Sequence, residues 1–349
     1  MALDTFKKIV NVIEKNIVAG NYDPFLPSIA KLSEKFKVCP ATIKRSLSVL
    51  RERDLAVGIK GRAVVVNQKA IKNPFFHKNI VFLTSLEIVA NPFYSKVLNL
   101  LNKELLADFF RFFLYVSPES FSECGFVPDV VVVINYYDAK TWRKILHFCP
   151  KEKIIALNYM AGNFCNVFTD NVSAGYEAMR FLAEKNNHRE IGVITTQMEF
   201  SYGVYYLRCE GIKKYSNEHP ETAIWLEEVE TNKDVPEAVD KLKKNHPEIT
   251  AIFALSDYLT IGVYSYAYQH DLRIPEDLSV ISFDNQRFTQ SLMPPITTFE
   301  ENAEESAELL LKKIKNIILD GKKVEKSVAI KPLFIERKSV QNRGPVSSL

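Results

Sequence analysis

From residue 79 onward, short apolar runs alternate with longer helical stretches, and this alternation narrows the possible folds more than any other feature. The predicted strands are Asn79–Thr84, Val130–Ile134, Lys153–Leu157, Glu190–Thr195, Ala251–Ala254, Ser279–Phe283 and Val328–Ile335. The predicted helices between them include Pro92–Ala107, Ser173–Lys185, Thr260–His270 and Asn302–Leu319. Short apolar strands separated by helices are typical of parallel sheets covered on both faces. The sequence therefore predicts an α/β fold of doubly wound parallel sheets.

This body, residues 79–340, is too long for one sheet of that kind, because most domains have roughly 100–150 residues. We predict two lobes, with the chain crossing between them near residues 170, 297 and 322. Two doubly wound lobes form a cleft at the carboxyl ends of their strands, where ligands bind in such folds. Residues 341–349 form a short C-terminal tail.

Residues 1–67 carry a different pattern. Apolar spacing predicts helices over Leu3–Ala19, Ile29–Phe36 and from Pro40 onward, and strands over Leu55–Ile59 and Ala63–Asn67. Ser28 is suited to cap the second helix, and Pro40 is suited to the first position of the third. Three helices followed by a two-stranded ribbon predict a small winged helix-turn-helix. In that fold the third helix enters the major groove of DNA.

The charge distribution separates these two parts. Residues 1–70 hold 13 lysines and arginines against six acids, a net charge of +7, whereas the remaining residues carry −4. A basic head on an acidic body indicates a nucleic-acid-binding module joined to something else. The polar segment 68–78 is predicted to be a linker. The predicted DNA contacts lie on the second and third helices and the wing tip: Ser28, Thr42, Lys44, Arg45, Ser48, Lys60, Gly61 and Arg62. The alternative is that these charges form an ordinary solvated surface.

Several motifs of the head resemble the GntR family of bacterial regulators. They are Gly20, Tyr22 and Leu26-Pro27-Ser28, then KLSEKFKV, ATIKRSLSVLRERDL and the KGRAVVV wing. The family usually has an arginine where this chain has Ala30, and Ser-Arg where it has Cys39-Pro40. Lys44 stands at the position of a third arginine. Lysine is less suited than arginine to bidentate hydrogen bonding with guanine or phosphate.

The body resembles the effector domain of the LacI family, which is built like periplasmic sugar-binding proteins. The matching segments are VFLTSLEIVANPFYSKVLNLL, VFTDNVSAGYEAMRFLAEKNNHREIGVIT and the long stretch from Ala251 to Ile314. A GntR-like head on a LacI-like body resembles the arabinose-repressor type of bacterial transcriptional regulator. The resemblance implies operator DNA and a sugar effector as binding partners.

The resemblance also implies a set of effector-binding residues. Arg208 aligns with the family's ligand-binding arginine, and Asp284 aligns with its ligand-binding aspartate. The remaining candidates are Phe93 and Tyr94 for stacking on a sugar ring, Asp170, Ser256 and Asp257, with Thr84 and Ser85 as weaker candidates. A guanidinium and a carboxylate suit paired hydroxyl groups, and an aromatic ring suits the apolar sugar face. Alternatively, Asp284 caps a turn and Phe93 belongs to the core.

Several functional classes lack support in the sequence. The apolar runs, such as Val131–Ile134, are far shorter than a membrane span, and the N-terminal stretch has no signal-peptide pattern. The five cysteines show no metal or disulfide spacing and are expected to be buried thiols. No motif for a catalytic serine, zinc, phosphate-binding or dinucleotide-binding site occurs, so we expect no catalytic residue, metal or cofactor.

We therefore predict a cytoplasmic transcription factor, most simply a repressor of carbohydrate metabolism, switched by a sugar or sugar derivative. One chain offers one recognition helix, so a palindromic operator requires a homodimer. The first alternative is a sugar-processing enzyme, such as a kinase or a pyridoxal-phosphate protein, fused to a DNA-binding head. A transport-type binding protein is a third possibility, but the basic head and the lack of an export-signal pattern argue against it.

Overall fold

The structure of the chain is a computed structural model that describes residues 2–58, 64–123, 125–134, 137–158, 164–196, 203–320 and 326–344. The chain divides into two compact units. Unit 1 comprises Met1–Asn79 with Leu105–Arg111, and unit 2 comprises Ile80–Glu104 with Phe112–Leu349. No helix within the described residues combines the length and the apolar character that a membrane crossing requires.

Unit 1 contains the predicted three helices and ribbon. Its elements are α1 (Ala2–Val18), α2 (Ile29–Phe36), α3 (Pro40–Glu52), β1 (Ala56–Gly58), β2 (Val64–Val66) and α4 (Gln68–Ile71). Strands β1 and β2 pair antiparallel, with Val57 opposite Val65. The backbone of Phe25 also bridges to Val65, which ties the turn between α1 and α2 to the ribbon. This arrangement is that of a winged helix-turn-helix.

Local sequence signals account for the helix ends in unit 1. The Ser28 hydroxyl accepts a hydrogen bond from the Lys31 amide at the start of α2, and Pro40 occupies the first turn of α3. The apolar faces of the helices bury Ile13, Leu32 and Ile43 in one core. Cys39 is exposed at the start of α3, so the expectation of buried cysteines is wrong there, whereas Cys149 and Cys165 are buried.

The predicted linker, residues 68–78, is part of unit 1 and not a free connection. Its first half forms α4, where Asn67 caps the helix and Ala70 is buried. Phe76 packs against the core of the head. The polar composition concealed these anchors, because two apolar side chains are enough to fix a short helix and a turn.

The first lobe of unit 2 has a six-stranded sheet with the order β4-β3-β5-β6-β7-β13. Its strands are β3 (Asn79–Leu83), β4 (Arg111–Tyr115), β5 (Val130–Val133), β6 (Ile154–Leu157), β7 (Cys165–Thr169) and β13 (Val328–Ile330). Its helices are α5 (Leu86–Ala90), α6 (Pro92–Ala107), α7 (Pro118–Ser122), α8 (Ala139–Phe148) and α13 (Ala303–Asp320). The pairs from β3 through β13 run parallel.

The second lobe has a six-stranded sheet with the order β9-β8-β10-β11-β12-β14. Its strands are β8 (Glu190–Thr196), β9 (Ala223–Val229), β10 (Ala251–Ala254), β11 (Ser279–Phe283), β12 (Thr297–Glu300) and β14 (Leu333–Ile335). Its helices are α9 (Asn171–Arg180), which continues as a π-helix to Lys185, α10 (Val204–Glu218), α11 (Val235–Asn245) and α12 (Asp257–Gln269). All pairs are parallel except β12 with β14.

The second sheet is covered on both faces, as the apolar strands predict. Phe253 of β10 packs among α9 and α10 residues, whereas its neighbour Ile252 packs among α11 and α12 residues. Alternate residues of one strand therefore belong to two different cores.

Three crossings join the lobes, and two of them differ from the prediction. The first follows β7 at Asp170, near the predicted residue 170. The second lies at Glu301 and Asn302, between β12 and α13, and the third lies at Lys331 and Pro332, between β13 and β14. The predicted positions, near 297 and 322, are wrong, because the chain completes a strand before it leaves each lobe. The single predicted strand Val328–Ile335 is two strands in different sheets.

Candidate functional site

Arg208 is held rigidly at the carboxyl edge of the second sheet. Its side chain is 2% exposed, its Nε donates to Oδ1 of Asn171 at 2.9 Å, and its Nη1 donates to the carbonyl of Leu255 at 2.5 Å. The guanidinium carbon lies 3.5 Å from the ring centre of Phe283, which covers one of its faces. These contacts leave Nη2 as the nitrogen that points toward Asp284.

Glycines on two helices make this position of Arg208 possible. Helices α9 and α10 approach so closely that a Cβ atom on Gly175 would lie 2.0 Å from the backbone oxygen of Arg208. A Cβ atom on Gly211 would lie equally close, at 2.0 Å, to the backbone oxygen of Val172. Side chains at these two positions would push α10 away, and Arg208 with it.

Asp284 follows β11 directly and faces Arg208. Its Oδ1 lies 3.9 Å from Nη2 of Arg208, which is beyond hydrogen-bond distance but within ion-pair distance. Its amide donates to the carbonyl of Phe299 at 2.8 Å, and its φ of 111° is in a region that L-residues rarely adopt. Burial raises the pKa of Asp284 well above its usual range, and Arg208 opposes that rise.

Asp257 is a positioning residue in the structure, and effector contact by Asp257 stays a prediction. It is completely buried, its Oδ1 accepts hydrogen bonds from the hydroxyls of Ser282 and Thr298, and its Oδ2 accepts from the Gln286 amide at 2.6 Å. Burial raises the pKa of Asp257 to about 6 despite these three donors. The carboxylate therefore fixes the turn that carries Asp284.

Asp170 and Ser256 are helix caps. Asp170 accepts from the Ser173 amide at 2.9 Å and from the Ser173 hydroxyl at 2.7 Å, so the first turn of α9 uses both of its oxygens. Ser256 is 4% exposed and accepts from the Tyr258 amide at 3.3 Å at the start of α12. These contacts give both residues a structural role, and effector binding by Asp170 and Ser256 stays a prediction.

Glu301 is a site residue that the sequence did not reveal. It lies at the second crossing and is 9% exposed, and its Oε1 accepts from Nδ2 of Asn158 and from the hydroxyl of Thr169, both at 2.8 Å. Burial raises the pKa of Glu301, and Arg208 lowers it again. Glu301, which follows β12 of the second lobe, is therefore hydrogen-bonded to two residues of the first lobe and lies near enough to Arg208 to feel its charge. If the sequence had predicted strand β12, Glu301 would have stood directly after a strand end.

The aromatic candidates lie on the first lobe. Phe93 and Tyr94, at the start of α6, are half-buried, and their rings meet edge to face with centres 4.9 Å apart. The Tyr94 hydroxyl lies 3.4 Å from Nδ2 of Asn158, the residue that also binds Glu301. Tyr94 is thereby connected through Asn158 to Glu301, whereas Thr84 is buried and Ser85 caps α5.

The candidate DNA-binding surface lies on the outer face of α3 in unit 1. Lys44, Arg45 and Ser48 are exposed there, and Thr42 is half-buried at the start of the helix. The guanidinium of Arg45 lies 4.7 Å from the ring centre of Phe6. Ser28, which caps α2, is also exposed. The predicted wing tip, Lys60-Gly61-Arg62, lies outside the described residues.

The described residues contain no group of three or more His, Cys, Asp or Glu side chains suited to a metal ion.

Comparison with known proteins places the body among periplasmic-binding-protein-like folds. Residues 179–340 match the family model of a periplasmic binding protein-like domain. An HTH-type transcriptional repressor PurR of Escherichia coli O1:K1 is 30% identical over 188 residues, which cover 52% of this chain and 54% of that protein. A PurR of Klebsiella pneumoniae is 29% identical over 186 residues, with the same coverage. The chain thus spans about half the length of these relatives.

Solved structures share the fold of the body. A LacI family transcriptional regulator of Enterococcus faecium with bound ribose has a TM-score of 0.63 and 20% identity, covering 76% of this chain and 99% of that chain. The complex of the transcriptional regulator CelR with cellobiose has a TM-score of 0.63 and 19% identity, covering 86% of this chain and 91% of that chain. The two lobes are therefore those of the fold that LacI-type regulators share.

Proposed function

We propose that this chain is a DNA-binding transcriptional regulator, most simply a repressor of carbohydrate metabolism, whose operator affinity changes when a sugar or sugar derivative binds between the lobes of unit 2. The observation that carries the proposal is the Arg208–Asp284 pair, held 3.9 Å apart at the strand ends of a two-lobed body. A sugar hydroxyl that accepts from Nη2 and donates to the carboxylate fits a gap of that length.

The relatives support this function and not an enzyme. The matched proteins are named as transcriptional repressors, and two matched structures are regulators named with bound ribose and cellobiose. We infer by analogy that the effector of this chain belongs to the same broad class and that the protein acts in the cytoplasm.

For the head, we propose operator DNA as the ligand of α3. The support is an exposed basic face on the third helix, next to the antiparallel ribbon of β1 and β2. The GntR resemblance of the head has no support from the relatives reported above, and it stays a prediction based on the residues of the head. A LacI-type helix-turn-helix is the other possibility, and the ribbon favours the winged form.

We further propose a homodimer and a palindromic operator. Unit 2 exposes several large apolar side chains on α12 and beside it: Ile261 is 50% exposed, Tyr268 is 86% exposed and Met293 is 92% exposed. A partner copy that covers this surface would bring two α3 helices to two half-sites.

DNA binding is testable with the full-length chain. A pool of random duplexes, enriched over several rounds for binding, supplies the operator probe, whose affinity is then measured by fluorescence anisotropy. Lys44→Ala with Arg45→Ala should weaken binding at least tenfold and reduce its salt dependence, because two phosphate or base contacts are lost. Lys15→Ala, at an exposed position of α1, is the control with a single charge removed. Equal affinity of the double variant and the wild type would refute α3 as the reading element.

A further inference from the structure

The cleft of unit 2 holds more acidic than basic side chains. Arg208 is the cation that acts on both Asp284 and Glu301, and Arg337, whose Nη2 donates to the Asn285 side chain at 2.6 Å, acts on Asp257. Burial is the main cause of the raised pKa of Asp284, and the carboxyl groups of Asp257 and Glu301 raise it further. Three carboxyl groups thus lie close to two guanidinium groups, and this acidic excess would repel an anionic ligand.

The sequence adds few charges in the undescribed segments that follow β5, β6 and β8. These segments, 135–136, 159–163 and 197–202, contain no lysine or arginine, and their one charged residue is Glu199. The segment 321–325 does contain two lysines, but it precedes β13. In a parallel sheet the amino end of a strand lies at the edge opposite the ligand cleft.

Among the described residues, side chains occupy several of the helix N-termini that could bind phosphate. Phosphates bind to free N–H groups at helix N-termini. Side chains cap four helices that begin at the cleft edge: Ser85 caps α5, Asp138 caps α8, Asp170 caps α9 and Ser256 caps α12. Helix α10 begins at Gly203 without a side-chain cap, but its first two turns carry Arg208, which already faces Asp284.

We propose that the cleft takes an uncharged, hydroxyl-rich effector such as a free sugar and discriminates against its phosphorylated form, with Glu301 as the residue that sets this selection. The proposal rests on the function proposed above and narrows its effector to one charge class. Hydroxyl groups donate as well as accept, so they match carboxylates, whereas a phosphate dianion only accepts and would need cations.

Glu301 is suited to this role because its charge can be removed without removing its hydrogen bonds. In Glu301→Gln, the amide oxygen can still accept from Asn158 and Thr169, which both donate to a single oxygen of Glu301 in the wild type. The variant therefore changes the charge at the cleft and leaves the contacts between the lobes in place. Glu300→Gln is the matched control, because it removes the charge of the neighbouring carboxylate, which binds the Asn285 side chain instead of Asn158 and Thr169.

The experiment compares sugars with their phosphates on the full-length chain. Thermal shift and isothermal titration calorimetry are run with free pentoses, hexoses, deoxyhexoses and cellobiose, and with ribose 5-phosphate, glucose 6-phosphate and inorganic phosphate. We expect a free sugar to bind at least tenfold more tightly than its phosphorylated counterpart. Glu301→Gln should reduce this ratio by about tenfold, and Glu300→Gln should leave it unchanged.

Each contrary result has a distinct meaning. Preferential stabilisation by a sugar phosphate or by inorganic phosphate overturns the charge argument and leaves the regulator proposal standing. An unchanged ratio in Glu301→Gln overturns the role of Glu301. If no compound of the panel binds, the sugar response itself fails, and this narrower proposal fails with it.

Discussion

Glu14 of α1 is the acidic residue on which we expect the head to depend most. Its side chain is 13% exposed, and its two oxygens lie 2.6 Å from Nη1 of Arg53, 2.5 Å from Nη2 of Arg111 and 3.1 Å from Nδ1 of His77. Arg53 ends α3, and His77 and Arg111 belong to the remainder of unit 1. One carboxylate therefore joins α1 to the candidate DNA-reading helix and to the segment that leaves the head.

The size of this contribution follows from the pKa. Burial alone would raise the pKa of Glu14, but His77, Arg111 and Arg53 outweigh it and lower the value to about 2, from 4.5. At about 1.4 kcal/mol per unit this corresponds to roughly 3 kcal/mol, and we reduce it to about 1–3 kcal/mol because both arginines are more than one-third exposed. The folded pKa is depressed, so the stabilisation is full above pH 4.5 and is lost as the pH falls toward 2.

Glu14→Gln tests this reasoning, because glutamine keeps the shape and removes the charge. Urea unfolding, followed by circular dichroism, should show a free energy of unfolding about 1–3 kcal/mol below wild type at pH 7. The difference between the two full-length proteins cancels the contribution of unit 2. The difference in the free energy of unfolding should shrink as the pH falls from 5 toward 2. Glu34→Gln, on the exposed face of α2, is the control. Equal stabilities at pH 7, or a difference that grows in acid, would refute the account.

Three further predictions concern unit 2. Gly175→Ala should lower the free energy of unfolding by about 2–4 kcal/mol and weaken sugar binding, because its Cβ would lie 2.0 Å from the Arg208 backbone oxygen. An unchanged melting temperature in calorimetry would contradict this. Arg208→Lys should reduce sugar affinity at least tenfold in titration calorimetry, since lysine cannot reach Asn171, Leu255 and Asp284 together. Wild-type affinity in this variant would contradict the prediction. His188 is completely buried, and burial lowers its pKa from 6.5 to about 4. Wild type should therefore lose up to about 3 kcal/mol relative to His188→Gln as the pH falls through this range, and a constant difference would be the contrary result.

Much of the fold could be predicted from the sequence, because its central strands are continuous apolar runs such as Val130–Val133. Four strands were missed for physical reasons. Strands β4 and β9 lie at sheet edges and carry exposed or charged residues, and β7 and β12 bury Asn166, Thr169, Thr297 and Thr298. Apolar patterning detects neither class. The edge strands lack the apolar run, and the buried threonines bond to residues outside the strands, such as Glu301 for Thr169 and Asp257 for Thr298.

The candidate site was predictable only in part. The motif resemblance pointed to Arg208 and Asp284, which the structure brings to 3.9 Å. It could not separate Asp257 from them, because the partners of Asp257 lie 25 to 41 positions away in the chain. Glu301 was missed, because its role depends on where the chain crosses between lobes. That crossing is a property of the tertiary fold and not of any local pattern.

The most direct test of the account is the operator affinity of the full-length chain, measured by anisotropy with and without a saturating free sugar. We predict a change in Kd of about 5- to 150-fold, the usual range for coupled sites, and an equal change in sugar affinity when DNA is bound. Asp284→Gly, which suits a φ of 111°, should abolish the change and leave DNA binding itself intact. An operator affinity that no sugar alters, or a sugar response that survives in Asp284→Gly, would contradict the central claim.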